Sequence, residues 1–164
     1  MNAYEVSGWA NLFTGTVSAS AALTGLIFVG ISINLDKIVA LSGVAELGLE
    51  AIVLLFGVLV MSIFVLIPQP RLVLGVEMLV ASVCEVVGLA ILNVAQWRLV
   101  DARFRTRLLV HIVLGRIGVL FFAAAGMTLM FGVGGGLYWA APALIFSLGA
   151  AVYNAWVLLI EIVR

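Results

Sequence analysis

The stretch from Ile117 to Ile160, IGVLFFAAAGMTLMFGVGGGLYWAAPALIFSLGAAVYNAWVLLI, runs for 44 residues without one charged side chain. A bilayer core of ~30 Å takes about 20 apolar residues per crossing helix, so the stretch is long enough for two crossings. Gly132, Gly134, Gly135 and Gly136 fall in its middle, where a turn between them is needed. A second uncharged run, Val6 to Leu35, holds another crossing. The expectation is an all-α, polytopic integral membrane protein.

Composition agrees. The chain is 65% hydrophobic and 10% charged, against about 25% charged in soluble domains. Eight basic and eight acidic residues cancel, so no field recruits nucleic acid, and no nucleic-acid partner is expected. Cys84 is alone and cannot form an internal disulfide; no Cys/His cluster points to a metal, and no cofactor is expected. The N-terminus lacks a basic n-region and its first apolar run is too long for an h-region, which argues against a cleavable signal. Residues 1–164 are expected to form one transmembrane domain without internal repeats.

Five spans are expected, at about 11–34, 49–67, 72–94, 108–131 and 137–160. Pro68-Gln69-Pro70 makes the corner between the second and third, because proline lacks the N–H that a helix interior needs. Trp9, Trp97, Tyr138 and Trp139 fall at span ends, where amphipathic rings favour the headgroup layer. One side of the membrane then carries a single basic residue, Arg71. The other carries six: Lys37, Arg98, Arg103, Arg105, Arg107 and Arg164. The positive-inside rule puts the N-terminus outside and the C-terminus in the cytoplasm of a cell membrane.

Charged groups within spans are costly and point to function or pairing. Glu77, Glu85, Arg116 and Glu161 are the candidates. Glu85 lies mid-span, and Arg116 lies within about 5 Å of the same depth on the next, antiparallel helix. A buried Glu85–Arg116 pair is expected, serving either as a clasp that fixes register or as a site for a permeant ion. Glu77, near the outer end, reaches water or joins Glu85 in an acidic vestibule. Glu161 beside Arg164 is expected to snorkel. His111 and the basic 98–107 loop are expected at the headgroups, where the loop can touch anionic lipid.

The fifth span carries Ser147, Asn154 and Glu161 at heptad spacing, with Ala143, Ser147 and Ala151 as a small-residue stripe. Asn154 could also contact a polar solute. The first span is small and weakly polar over half its surface, from Thr14 through Ser18, Ala22 and Gly25 to Ser32 and Asn34. Such a helix suits a bundle centre or the lining of a narrow path. One of these two close-approach faces must be used internally; the other can join subunits. The Gly132–Gly136 turn is no phosphate loop, since no Lys-Ser/Thr follows it.

Ser20-Ala21-Ala22-Leu23-Thr24-Gly25, an apolar run and then Asn34-Leu35-Asp36 resemble the pore helix of Orai-type calcium channels; Met61 to Pro68 resembles the end of their second helix. The likeness covers about a quarter of the chain. It implies a cation pore with Ser32 at the selectivity position, where that family has glutamate. The basic stretch before their pore helix is missing, and five spans stand in place of four. Over its length the chain looks like the small multi-pass proteins of bacterial membranes.

No nucleophile–base pair, metal constellation or soluble catalytic domain points to an enzyme. The expectation is a small oligomeric channel or transport element for a cation or polar solute. Its candidate pathway residues are Glu85, Arg116, Glu77, Asn154 and Ser32, and its partners are the bilayer and further copies of the chain. The alternative is a non-transporting accessory or scaffold subunit bound to another membrane protein.

Overall fold

The computed structural model describes residues 3–40, 44–99 and 105–163. Its helices are α1 (Ala10–Ile33), α2 (Leu35–Ala40), α3 (Val44–Leu66), α4 (Arg71–Leu99), α5 (Arg105–Phe131) and α6 (Ala140–Val163), with 3-10 turns at Val6–Gly8 and Gly136–Trp139. All but α2 are long and apolar enough to cross a membrane, so the chain is a membrane-embedded helical bundle. The expected spans are all present. α3 starts five residues before its expected boundary and α4 ends five residues after. No proline stands in either extension, so the helical hydrogen bonding continues beyond the apolar zone.

Helices α3, α4, α5 and α6 form a ring in which each packs on the next and α6 returns to α3. α1 lies outside the ring, mainly against α3. This corrects the expectation that α1 suits the bundle centre. Only Phe13, Thr16 and Ser20 of α1 are buried, while Thr14, Gly15, Ser18, Ala22 and Gly25 are exposed. The ring helices are apolar enough to close on one another, and α1 adds to their outer surface. By contrast Ala143, Ser147 and Ala151 of α6 are wholly buried, so the α6 stripe is the one used internally.

Lipid is as apolar as leucine, so helices in a bilayer associate through close packing rather than water exclusion. Glycine makes that packing here. A Cβ on Gly75 of α4 would lie 2.8 Å from the Gly126 carbonyl of α5, and one on Gly126 would lie 2.8 Å from the Gly75 carbonyl. On the other side of α5, a Cβ on Gly118 would collide with the Ser147 hydroxyl of α6. The main apolar core lies beside these crossings and includes Val58, Met61, Met78, Phe122, Leu129 and Leu144.

The turn between α5 and α6 shows why four glycines stand there. Gly132, Gly134, Gly135 and Gly136 have φ of 72°, 92°, 116° and 53°, a region that side chains with a Cβ rarely enter. The N-terminal residues close over this turn. Leu137 N–H donates to the Ala3 carbonyl at 2.9 Å, and Gly135 N–H donates to the Tyr4 hydroxyl at 3.2 Å. Trp9 meets Tyr138 edge-on, with ring centroids 5.0 Å apart. Arg71, at the start of α4, occupies the space a Gly132 side chain would take. The N-terminal segment, the Pro68–Pro70 corner and the glycine turn therefore share one end of the bundle.

Gly126→Ala should separate α4 from α5 and lower stability by about 1–3 kcal/mol, as overpacking does. Gly88→Ala, on the same helix pair but with open space around it, should change little. Thermal unfolding in mild detergent checks both. Equal behaviour of the two variants removes the glycine crossing as the contact that matters.

Candidate functional site

Glu85 is fourteen residues from either end of α4, about 21 Å from each at 1.5 Å per residue. Its side chain is 8% exposed. The carboxyl group lies over Gly57 of α3, in the volume that a Cβ there would fill. Glycine at 57 is thus what makes room for a carboxyl group between α3 and α4. Neither carboxyl oxygen has a hydrogen-bond partner among the described residues.

The expected pair with Arg116 is not made. No hydrogen bond joins the two, and Arg116 Nε is itself buried without a partner. Depth is not the obstacle. Counting ten residues along α4 from Gly75 and ten back along α5 from Gly126 reaches Glu85 and Arg116, so the antiparallel crossing sets them at one level. Ten residues also turn each side chain about 80° from the crossing line, and Glu85 turns towards α3.

A second buried polar level lies nearer the other end of the bundle. Glu50 of α3 is 1% exposed, and one of its carboxyl oxygens comes 3.8 Å from the side-chain position of Gly115 on α5. Asn93 of α4 is 6% exposed, with neither its amide nitrogen nor its oxygen bonded among the described residues. Asn93 is eight residues beyond Glu85, and Glu50 is seven residues before Gly57, so the two share a depth. Asn154 of α6 is also buried at about this level, one turn from the contact between Leu158 and Gly48.

Glu50 and Asn93 were missed by the reading of the sequence because each stood at the edge of an expected span. A charge or amide there passes for a residue in contact with headgroups. The available signal was spacing: Gln69, Glu77, Glu85 and Asn93 recur every eight residues through the corner and α4. Glu77, Glu85 and Asn93 stand about 12 Å apart along α4, each turned about 80° from the last.

The other candidates are dispersed. Glu77 is half-buried and accepts a 2.7 Å hydrogen bond from Gln69 Nε2, which also donates to the Phe64 carbonyl at 3.0 Å. Glu77 therefore closes the proline corner and does not join Glu85 in a vestibule. Ser32 is exposed near the far end of α1, and its hydroxyl donates back to the Phe28 carbonyl at 2.8 Å. Thr16, Ser18 and Thr24 likewise donate to carbonyls of their own helix, so most of the polarity of α1 is spent within it. Ser20 is the exception and donates across to the Leu55 carbonyl of α3. Glu161, Arg164, His111 and the 98–107 basic residues lie outside the described side chains.

No protein-family profile, curated protein or solved structure matches the chain.

A buried carboxyl group without a partner costs stability, of order 1–3 kcal/mol for an unsatisfied group. Glu85→Gln should therefore leave stability unchanged or raise it by about 1 kcal/mol. Combined with Arg116→Gln, the effects should add to within about 0.5 kcal/mol, as they do for groups that do not interact. A marked loss for Glu85→Gln that Arg116→Gln relieves would falsify the unpaired geometry.

Proposed function

We propose that the protein is a small oligomeric transport element of the cell membrane, without catalytic activity, that passes a cation or small polar solute along a route including Glu85. The observation behind this reading is the Glu85 carboxyl, buried at the middle of a spanning helix and bonded to nothing described. Structural carboxylates inside membranes have partners, because an unpaired one works against folding. A group kept at that cost suits the transient binding of something that arrives and leaves. Asn93 at the next level, also without a partner, extends the same route.

The exposed face of α1 supports oligomer formation. Gly15, Gly25 and Gly30 have open space around them, and Thr14, Ser18 and Ala22 line the outer surface. Small residues at four-residue spacing let a second helix approach closely. The same face favours the second reading, an accessory subunit whose partner is a different membrane protein. The six-to-one distribution of basic residues supports an outer N-terminus and a cytoplasmic C-terminus.

One paired measurement separates the readings. Reconstituted vesicles should pass a cation or small solute, and Glu85→Gln should reduce that flux while leaving oligomer yield intact. Ser18→Leu should do the reverse, weakening the oligomer by wedging α1 off its neighbour. An inert parent protein in vesicles favours the accessory role. For orientation, cysteines placed at position 3 and position 163 of a Cys84→Ser chain should differ in labelling by an impermeant thiol reagent in intact cells. Position 3 should react and position 163 should not; the opposite pattern inverts the topology.

A further inference from the structure

We propose that the species Glu85 takes up is a proton rather than a metal cation, and that α4 carries it between the stations at Glu77, Glu85 and Asn93. The inference rests on the transport reading and narrows it to one substrate class.

A dehydrated hard cation such as calcium takes about six to eight oxygen ligands. Glu85 offers two oxygens in a gap between helices that has room for its carboxyl group only because residue 57 has no side chain. Ser82, one turn away on α4, commits its hydroxyl to the Met78 carbonyl at 2.7 Å, and Ser62 of α3 donates to the Val58 carbonyl at 2.7 Å. Among the described residues no three of His, Cys, Asp and Glu gather in a group that could hold a metal ion. A proton needs none of this. It bonds to one carboxyl oxygen and neutralises the group, which removes the cost of a buried charge.

α4 packs on α3 and α5. From α3 the nearest described acids are Glu50 and Glu46, about two and three turns along the helix from Gly57. From α5 the described charge is Arg116, and on α4 itself they are Arg71, at the outer end beside Gly132, and Glu77, tied to Gln69. None of these hydrogen-bonds the Glu85 carboxyl. No described hydrogen-bond donor holds its oxygens against an incoming proton.

Glu77 faces the proline corner, Glu85 stands at the centre and Asn93 stands in the opposite half, each about 12 Å from the next. Asn93 presents an unbonded donor and an unbonded acceptor in a buried position, which suits it to order water that delivers or receives the proton. In each uptake an O–H bond of a hydronium breaks, an O–H bond forms at the Glu85 carboxylate, and water is left. Release is the reverse, and no electron changes hands.

The test uses the purified full chain in phosphatidylethanolamine and phosphatidylglycerol vesicles with a trapped pH dye, driven by a valinomycin-set potassium potential. The parent should move protons, Glu85→Asp should retain part of the rate, and Glu85→Gln should lose at least about tenfold. Sodium or calcium uptake that depends on Glu85 without proton movement overturns the proton assignment and leaves the transport reading standing. Movement of no ion or small solute overturns both. A second readout does not depend on flux or on a variant folding. Dicyclohexylcarbodiimide adds to protonated carboxyl groups in apolar surroundings, so the folded parent should gain one adduct at Glu85, more slowly as pH rises. A folded parent that acquires no adduct at Glu85 across the pH range overturns the proposal.

Discussion

The crossing of α4 and α5 rests on two carbonyl oxygens, those of Gly75 and Gly126, each occupying the space where the opposite residue would carry a side chain. In a bilayer the surrounding lipid competes on equal terms with any apolar side chain, so only closer contact than lipid can offer holds two helices together. This crossing fixes the register of α5 on α4, and Gly118 against Ser147 fixes α6 on α5. The depths of Glu85, Asn93 and Arg116 follow from the first, and that of Asn154 from the second. The polar residues did not build the bundle. They are carried to their places by glycines.

Polar groups in this protein divide by what satisfies them. The hydroxyls of Thr16, Ser18, Thr24, Ser62 and Ser82 turn back onto their own helices and need no neighbour. Glu77 is met by Gln69. Glu85 and Asn93 have neither solution, although each is buried. Helical geometry lets a hydroxyl reach the carbonyl four residues back, but a carboxylate can only accept, and the backbone N–H groups of α4 are already in use. Such a side chain must be served from outside its own helix, and Gly57 presents it with bare backbone.

What could be read from the amino acids alone was the length of each apolar run, and with it the five crossings, the proline corner and the glycine turn. These are local properties, set by hydropathy and by residues that permit or forbid a backbone conformation. Depth was legible too, since rise per residue converts position into height: Glu85 and Arg116 do lie at one level. Direction around the helix was not. Whether Glu85 turns towards α5 or α3 depends on which neighbour leaves a hollow, and the hollow is made by Gly57, which lies 28 residues earlier in the chain. The outer position of α1 escaped for the same reason. A small, weakly polar helix is equally suited to the middle of a bundle or to its rim, and the choice belongs to the helices that close without it. Glu50 and Asn93 escaped because a boundary error of a few residues changes a buried group into a headgroup contact.

The hydrogen bonds from the glycine turn to Ala3 and Tyr4 join positions separated by four crossings of the membrane. A contact of that span cannot form while the chain is being threaded into the bilayer one hairpin at a time. It has to wait until the last hairpin is in place, and it then ties the opening segment to the closing one. Biogenesis of this protein therefore has a late docking step. Before it, the edge of Trp9 and the backbone of residues 3 and 4 face lipid headgroups or whatever assists insertion. An intermediate with its N-terminal segment undocked differs from the finished protein at one end only, where the Leu137 and Gly135 N–H groups lack the acceptors that Ala3 and Tyr4 bring.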